Sequence, residues 1–286
     1  MAGVNGGKFP AIREHLDKNI GGVYKDMDLT FDEYPKGGKV DPEAYKEAID
    51  SMSKGDAVII FTPDLLVTKP AVQLLSHHNE LIAAAKKYGV VCMVEHHKRC
   101  DSDKAIPTRV VASAATGIAT SEPYNCVPQT EDTITLLVDW ESTTSSKHKG
   151  TGVYTASWTA PLKAGVHSAQ HWYYMGEKGD ITVDQAHRGY DVTVDDTGKT
   201  CMKYSPSESG HFDGQRGYGY VSIEKFIDAA RSVNAGHTKV EDYDKHGLPT
   251  IANTVLTTAI LHAGRISLDE KRPVGIKKNG EEWILE

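Results

Sequence analysis

The chain has 286 residues, of which 39% are hydrophobic and 25% are charged, a balance that argues for a globular protein and against disorder. Its formal net charge of −7 gives no electrostatic basis for binding nucleic acid or an anionic membrane surface. No apolar run approaches the roughly 20 residues of a membrane span, and the N-terminus lacks a signal-peptide pattern. Four cysteines without a C-x-x-C pair favour free thiols in a reducing compartment, so we expect a cytoplasmic protein.

The first third of the chain alternates between helix and strand patterns. Asp41 is placed as an N-cap with Pro42 at the first helical position, and Tyr45 and Ile49 belong to the expected apolar face of that helix. Continuous apolar runs such as residues 56–61 are typical of strands that helices cover on both faces. The alternation predicts a parallel sheet with crossover helices.

A well-formed helix is predicted between two of these runs. It begins after Ser76 as N-cap and stops at Gly89. Its predicted inward-facing side chains are those of Leu81, Ile82 and Ala85.

Polar motifs follow three of the apolar runs. Thr62-Pro63-Asp64 follows the first, Lys69-Pro70 follows the second, and the cluster from Glu95 to Arg99 follows the third, V-V-C-M-V. Ligands of parallel sheets bind in the crevice beyond the carboxyl ends of the strands, so these positions are candidate site residues.

This order of motifs resembles the Gfo/Idh/MocA family of NAD(P)-dependent sugar oxidoreductases, which carry a T-P-(N/D) turn, an (E)-K-P motif and a later polar cluster. Residues 170–174, 184–190 and 214–220 resemble a fungal D-galacturonate reductase-like subgroup. The resemblance implies an α/β fold. A partial Rossmann-like parallel sheet (residues 1–104) would be followed by an α+β domain with a mostly antiparallel open sheet (residues 105–286).

The resemblance also implies a cofactor, NADP(H) or NAD(H), and a sugar or uronate substrate. Lys69 would be the catalytic residue, because an ammonium stabilises the negative charge that builds on a carbonyl oxygen during hydride transfer. The implied cofactor-binding residues are Asn5, Lys8, Thr62, Pro63, Asp64, Lys69, Pro70, Glu95 and His96. The implied substrate-binding residues, in which an arginine fork suits a carboxylate, are His97, His171, His187, Arg188 and Arg216.

Two departures from the family pattern leave a second interpretation open. The glycine-rich start, Gly3 to Gly7, follows no strand and is not a G-x-G-x-x-G sequence. Three residues separate the strands that end at Phe61 and begin at Leu65, and a parallel crossover needs a dozen or more. The alternative is therefore a shortened, inactive relic that retains an oligomerising sheet.

A third interpretation is a metal hydrolase in which His77 and His78 join Glu95, His96 and His97. Adjacent histidines on a strand point to opposite faces, which disfavours a shared ion, and we predict no metal site.

The second half of the chain has alternating patterns typical of antiparallel strands, separated by Gly- and Asp-rich turns. An open sheet offers an exposed face or edge, so we expect a homo-oligomer formed through it. Helices return after Ser222, as N-cap, and along Ile251, Val255, Ala259 and His262 up to Gly264. The predicted strands are 107–115, 133–140, 152–158, 171–175, 181–183 and 192–194.

Overall fold

The structure is a computed structural model. It describes residues 2–4, 32–37, 39, 41, 43–53, 72–94, 105–128, 130–145, 148–159, 170–184, 189–194, 197–201, 218–245 and 248–286. The chain divides into two compact units, Met1–Ile59 and Ile60–Glu286; the predicted domains, 1–104 and 105–286, remain predictions. Within the described ranges, no helix is long and apolar enough to cross a membrane.

The first unit contains a short parallel strand pair, β1 (Ala2–Val4) with β2 (Asp32–Tyr34), and helix α1 (Ala44–Asp50). The N-cap position is Glu43 rather than the predicted Asp41, although the Asp41 carboxylate accepts the N–H of Glu43 at 2.9 Å just ahead of the helix. The predicted apolar face is wrong in part, because Tyr45 and Ile49 are exposed.

The second unit holds two antiparallel sheets and four helices among its described residues. The five-stranded sheet has the order β11-β10-β3-β4-β5, and the four-stranded sheet is a meander, β6-β7-β8-β9. The strands are β3 (Ala105–Ala115), β4 (Thr133–Ser142), β5 (Lys149–Ser157), β6 (His171–Gly176), β7 (Gly179–Asp184), β8 (Gly189–Val194), β9 (Thr197–Cys201), β10 (Val274–Asn279) and β11 (Glu282–Leu285). The helices are α2 (Leu75–Tyr88), α3 (Tyr218–Asn234), α4 (Val240–Lys245) and α5 (Val255–Glu270).

The main core lies between α5 and one face of the five-stranded sheet. Alternate residues of the central strands, among them Val110 and Val138, point towards the helix and are fully buried. Small residues on the facing side of α5, Ala259 and Ala263, let the helix approach the sheet closely. At Gly264, a Cβ atom would lie 2.7 Å from a terminal methyl group of Leu136, so a larger residue would require the buried leucine side chain to shift.

The mixed α/β prediction and its mostly antiparallel second half are confirmed. The V-V-C-M-V run differs, because its described part makes one antiparallel bridge, between Met93 and Thr250, and no named strand. Gly264 is not a helix stop, since α5 continues to Glu270, and α3 starts at Tyr218, ahead of the predicted cap Ser222.

Helix α2 ends as predicted and begins differently. Gly89 stops it in the left-handed conformation, at φ 62°. The N-cap position is Leu74, not Ser76, and its side chain makes no capping hydrogen bond. Leu81 is 37% exposed, whereas His78, which the predicted inward face left out, is fully buried.

We expect Gly264→Ala to destabilise the protein by about 1–3 kcal/mol, the usual cost of forcing an extra group into a packed core, despite the higher helix propensity of alanine. The measurement is the free energy of unfolding in urea. In a double-mutant cycle with Leu136→Val, which shortens the opposing side chain, the cost of the alanine should shrink. Equal costs in both backgrounds would show that the contact does not constrain this position.

Candidate functional site

Most of the predicted site residues lie outside the described part of the chain. The exception is His171. The predicted site residues outside the described part are Asn5, Lys8, Thr62, Pro63, Asp64, Lys69, Pro70, Glu95, His96, His97, His187, Arg188 and Arg216. Their predicted roles stay predictions.

His171 opens the edge strand β6, directly opposite Asp184 on β7. Its Nδ1 lies 3.9 Å from an Asp184 oxygen, with the histidine side chain 68% exposed. Tyr173 shares that face, because side chains two apart on a strand point the same way. So exposed a pair contributes little to stability, but an imidazole, a carboxylate and a phenol can all hydrogen-bond to a hydroxylated ligand.

The first turn of α2 is held by a side chain from α5. The backbone N–H of Leu75 donates to Nδ1 of His262 over 3.2 Å, so the imidazole does the work of a missing N-cap. Leu75 follows Lys69 by six residues. The predicted catalytic lysine therefore stands close in sequence to an anchored point.

One turn further on, His78 fixes α2 from the inside. Its Nε2 lies 2.7 Å from the carbonyl oxygen of Ile251, and its Nδ1 lies 2.8 Å from the hydroxyl of Thr258. Because a carbonyl can only accept, Nε2 carries the proton, and in the neutral ring Nδ1 accepts from the threonine. Burial lowers the pKa of His78, while the hydrogen bond to Ile251 acts weakly in the opposite direction.

The segment that leads into Glu95 is anchored on the same stretch of chain. Val94 donates its N–H to the carbonyl of Pro249 at 2.8 Å. Ile251 donates its own to the carbonyl of Cys92 at 2.7 Å. This leaves Val94, the residue before the predicted cluster, buried and hydrogen-bonded on the turn that precedes α5.

Two motif-bearing segments therefore share one support, which we call the anchor stretch and define as residues 249–262. It binds the helix that follows Lys69-Pro70 and the strand-like segment that precedes Glu95. The anchor stretch therefore holds two described segments that are neighbours, in sequence, of the polar motifs.

One of the two adjacent histidines of the metal interpretation, His78, has a structural role. Both ring nitrogens of His78 have partners, so neither is free for an ion. Among the residues that the structure describes, no three His, Cys, Asp or Glu side chains are grouped to hold a metal ion.

Cys92 lines a small cleft beside Lys86 and Asp244, between α2 and α4. The thiol is free and half-buried, and burial raises its pKa. A thiol of this kind is mostly protonated near neutral pH and is a poor nucleophile.

Sequence reasoning missed the support roles of His78 and His262. A signal for the first was present, because His78 continues the helical spacing of Ile82 and Ala85 and so falls on the buried face of α2. His262 was recognised as part of the apolar side of its helix. Its partner, a backbone N–H far away in sequence, leaves no pattern to find.

The sequence matches no protein-family model and no curated protein. Solved structures with some similarity are oxidoreductases. A levoglucosan dehydrogenase in complex with NADH is 16% identical, covers 61% of this chain and 46% of its own, and has a TM-score of 0.44. A UDP-N-acetylglucosamine 3-dehydrogenase from Acidithiobacillus ferrooxidans is 11% identical over 71% of this chain and 69% of its own, with a TM-score of 0.48.

A third is an oxidoreductase from Agrobacterium radiobacter in complex with NAD+, L-tartaric acid and magnesium. It is 13% identical over 72% of this chain and 71% of its own, with a TM-score of 0.45. The chain spans less than half the length of the levoglucosan dehydrogenase.

We expect the protein to lose stability as the pH falls below about 6.5. Burial lowers the pKa of both His78 and His262 from the usual 6.5, so the unfolded chain takes up protons before the folded one does. The stability contributed by the two neutral rings is complete above pH 6.5, and it is lost as the pH falls from there towards their pKa values in the folded protein. The melting temperature at pH 5.0 should lie about 2–4 °C below that at pH 7.5, the effect of roughly 1 kcal/mol in a domain of this size.

The variant His78→Gln isolates this effect from other titrating groups. Its amide can still donate towards the Ile251 carbonyl but cannot titrate, so it should be less stable at pH 7.5 and lose less on acidification. His77→Gln, which changes the exposed neighbour, is the control and should keep the wild-type pH dependence. If the melting temperature of His78→Gln falls as much between pH 7.5 and pH 5.0 as that of the wild type, the His78 ring is not the source of the pH dependence.

Proposed function

We propose that this chain is an NAD(P)-dependent oxidoreductase of the Gfo/Idh/MocA type, with NADP(H) or NAD(H) as cofactor. Hydride would pass between the nicotinamide ring and the carbonyl or hydroxyl carbon of a sugar or uronate, with D-galacturonate as the candidate substrate. Lys69 would donate the proton to the carbonyl oxygen in reduction and take it back in oxidation.

The observation that carries the proposal is the order of the motifs together with the helix that follows them. T-P-D precedes K-P, and α2 begins six residues after Lys69, as the resemblance implies. The hydrogen bonds to His262 and Ile251 give that helix a fixed place in its unit. A lysine that stabilises one developing charge needs such support, because small displacements cost catalysis heavily.

The exposed side of β6 supports a role in substrate binding. His171 and Asp184 form an accessible polar pair, with the Tyr173 hydroxyl on the same face. Sugar and uronate hydroxyls both donate and accept hydrogen bonds, which suits this mixture of groups. In the proposed enzyme, His171 contacts the substrate and does not transfer hydride or the main proton.

A homo-oligomer is part of the proposal, formed through the outer face of the five-stranded sheet, the side turned away from α5. The outer face carries an apolar stripe across three strands, Val111, Leu137 and the 67% exposed Val153. An ion pair lies beside the stripe, with Arg109 donating to Asp139 at 2.7 Å. Apolar stripes with a polar margin are typical of surfaces that bind another protein.

The rival candidate is the inactive relic, supported by the lack of a G-x-G-x-x-G sequence at Gly3 to Gly7. That turn and the following helix N-terminus form the main anion site for the pyrophosphate in dinucleotide-binding folds. Calorimetric titration with NADPH and NADP+ separates the candidates, since the relic binds neither.

We expect Lys69→Ala to lower turnover by at least about a hundredfold, the scale for losing one acid-base or oxyanion-stabilising group. Lys69→Arg should not restore it, because a guanidinium stays protonated and its fork does not match a single oxygen. NADPH oxidation with D-galacturonate is the measurement, and thermal melting is the control for folding.

NADPH binding and turnover of the wild-type protein are measured before those of the variants. NADPH binding without turnover on any sugar or uronate tested would contradict the substrate part of the proposal, and no NADPH binding would favour the relic. Equal turnover in wild type and both variants would remove Lys69 from the chemistry.

We expect a dimer or higher oligomer in sedimentation velocity at tens of micromolar, and we expect Val153→Lys to shift it towards monomer. A lysine in the centre of the stripe would have to be desolvated on association. Val127→Lys is the matched control, because Val127 is 69% exposed and lies in the loop between β3 and β4. A wild-type monomer at these concentrations would refute association through the outer face.

A further inference from the structure

Helix α2 lacks an N-cap of its own. Leu74 occupies the cap position in an extended conformation and supplies no side-chain acceptor. In place of a cap, the N–H of Leu75 donates to Nδ1 of His262, 187 residues further along the chain. The orphan donors of a helix start are ordinarily satisfied by oxygen atoms, which do not titrate near neutral pH. Here the acceptor is an imidazole nitrogen, a group that can take up a proton.

Protonation would turn this contact from attractive to repulsive. An imidazolium carries N–H groups at both ring positions, so Nδ1 would face the Leu75 N–H with a proton of its own. It would also place a full positive charge at the positive end of the α2 dipole, within the first turn where that effect is strongest. The neutral ring is therefore the form that fits.

The His78 contact one turn away responds differently. Its Nδ1 faces the Thr258 hydroxyl, which can accept as well as donate, so protonation there need not break a hydrogen bond. The two histidines therefore have different roles. His78 keeps α2 attached to the core, whereas His262 governs the first turn alone.

Burial, rather than a neighbouring charge, is what lowers the pKa of His262. Arg265, one turn along α5, is engaged by Glu131 and Asp269. The titratable and charged side chains on α5 and on the elements packed against it, α2, β3, β10 and β11, are Arg265, Asp269, Glu270, His77, His78, Glu80, Lys86, Lys87, Tyr88, Arg109, Lys277, Lys278 and Glu282.

We propose that His262 is a pH-sensitive latch: its neutral ring holds the first turn of α2, the helix that follows Lys69-Pro70 in the sequence, in the arrangement that turnover requires. The link to turnover rests on the proposed function, whereas the latch on α2 stands on the Leu75 contact. Proton uptake at mildly acidic pH releases the first turn while the rest of α2 stays bound. His262 is a positioning residue and touches neither cofactor nor substrate.

The test of the latch is hydrogen exchange by mass spectrometry on peptides that cover residues 72–80, at pH 7.5 and 5.0, corrected for the intrinsic pH dependence of exchange. In wild type, protection of the first turn should fall about fivefold at pH 5.0, the scale for losing a helix cap. In His262→Asn, the amide oxygen takes the place of Nδ1 as an acceptor that does not titrate, so protection should be the same at both pH values. His262→Ala should be unprotected at both.

The control is His77→Asn, which removes an exposed imidazole from α2 and should behave as wild type. Protection that falls equally in wild type and His262→Asn would overturn the latch. So would an unchanged first turn in His262→Ala, because the missing acceptor would then not matter.

Turnover is the second readout. The acidic limb of the kcat profile should be present in wild type and His77→Asn and absent in His262→Asn, while His262→Ala loses kcat at every pH. A latch that opens in exchange with kcat unaffected would overturn its effect on turnover. A protein that shows the exchange result but no oxidoreductase activity would refute the proposed function and leave the latch on α2 supported.

Discussion

The close approach of α5 to the five-stranded sheet is the constraint on which the rest of the second unit depends. Gly264 permits it, since a Cβ atom there would meet the Leu136 side chain at 2.7 Å and force it to shift. The small residues Ala259 and Ala263 extend the same shallow face, so that Val110 is sealed from water. A helix held this near a sheet becomes a fixed reference surface, and α2 takes its own position from it.

The attachment of α2 to α5 is polar at its most buried point, which makes it specific. Sliding α2 by one turn would strip His78 of both its partners, Thr258 and the Ile251 carbonyl, and leave an imidazole unsatisfied in the core. An apolar side chain in that place would tolerate several registers. The histidine tolerates one, so the register of α2 against α5 is fixed at His78.

Periodicity recovered most of the strands, and failed where one residue type has two structural uses. Strands β3 to β8 were found from alternation. One-sided burial explains this for β3 and β4, whose alternate residues lie in the core, whereas β6 is exposed along its whole length. The hairpin of β10 and β11 was missed although Asn279-Gly280 is a strong turn signal. Gly264 was taken for a helix stop, since glycine serves both to end a helix and to let it pack closely. Only the presence of Leu136 opposite decides between the two.

Some features of the candidate site were likewise visible in the sequence, and others were not. Motifs such as Thr62-Pro63-Asp64 and Lys69-Pro70 are visible in sequence because their residues are adjacent. The anchor stretch, residues 249–262, is invisible there because its contacts with the motif-bearing segments join positions more than 150 residues apart. One consequence is that a substitution at His262 can alter the start of α2, 187 residues away along the chain. Another is that the two segments cannot shift independently, since a movement of α5 carries the start of α2 and the residue before Glu95 together. Coupling of that kind would keep the spacing between the start of α2 and Val94 constant.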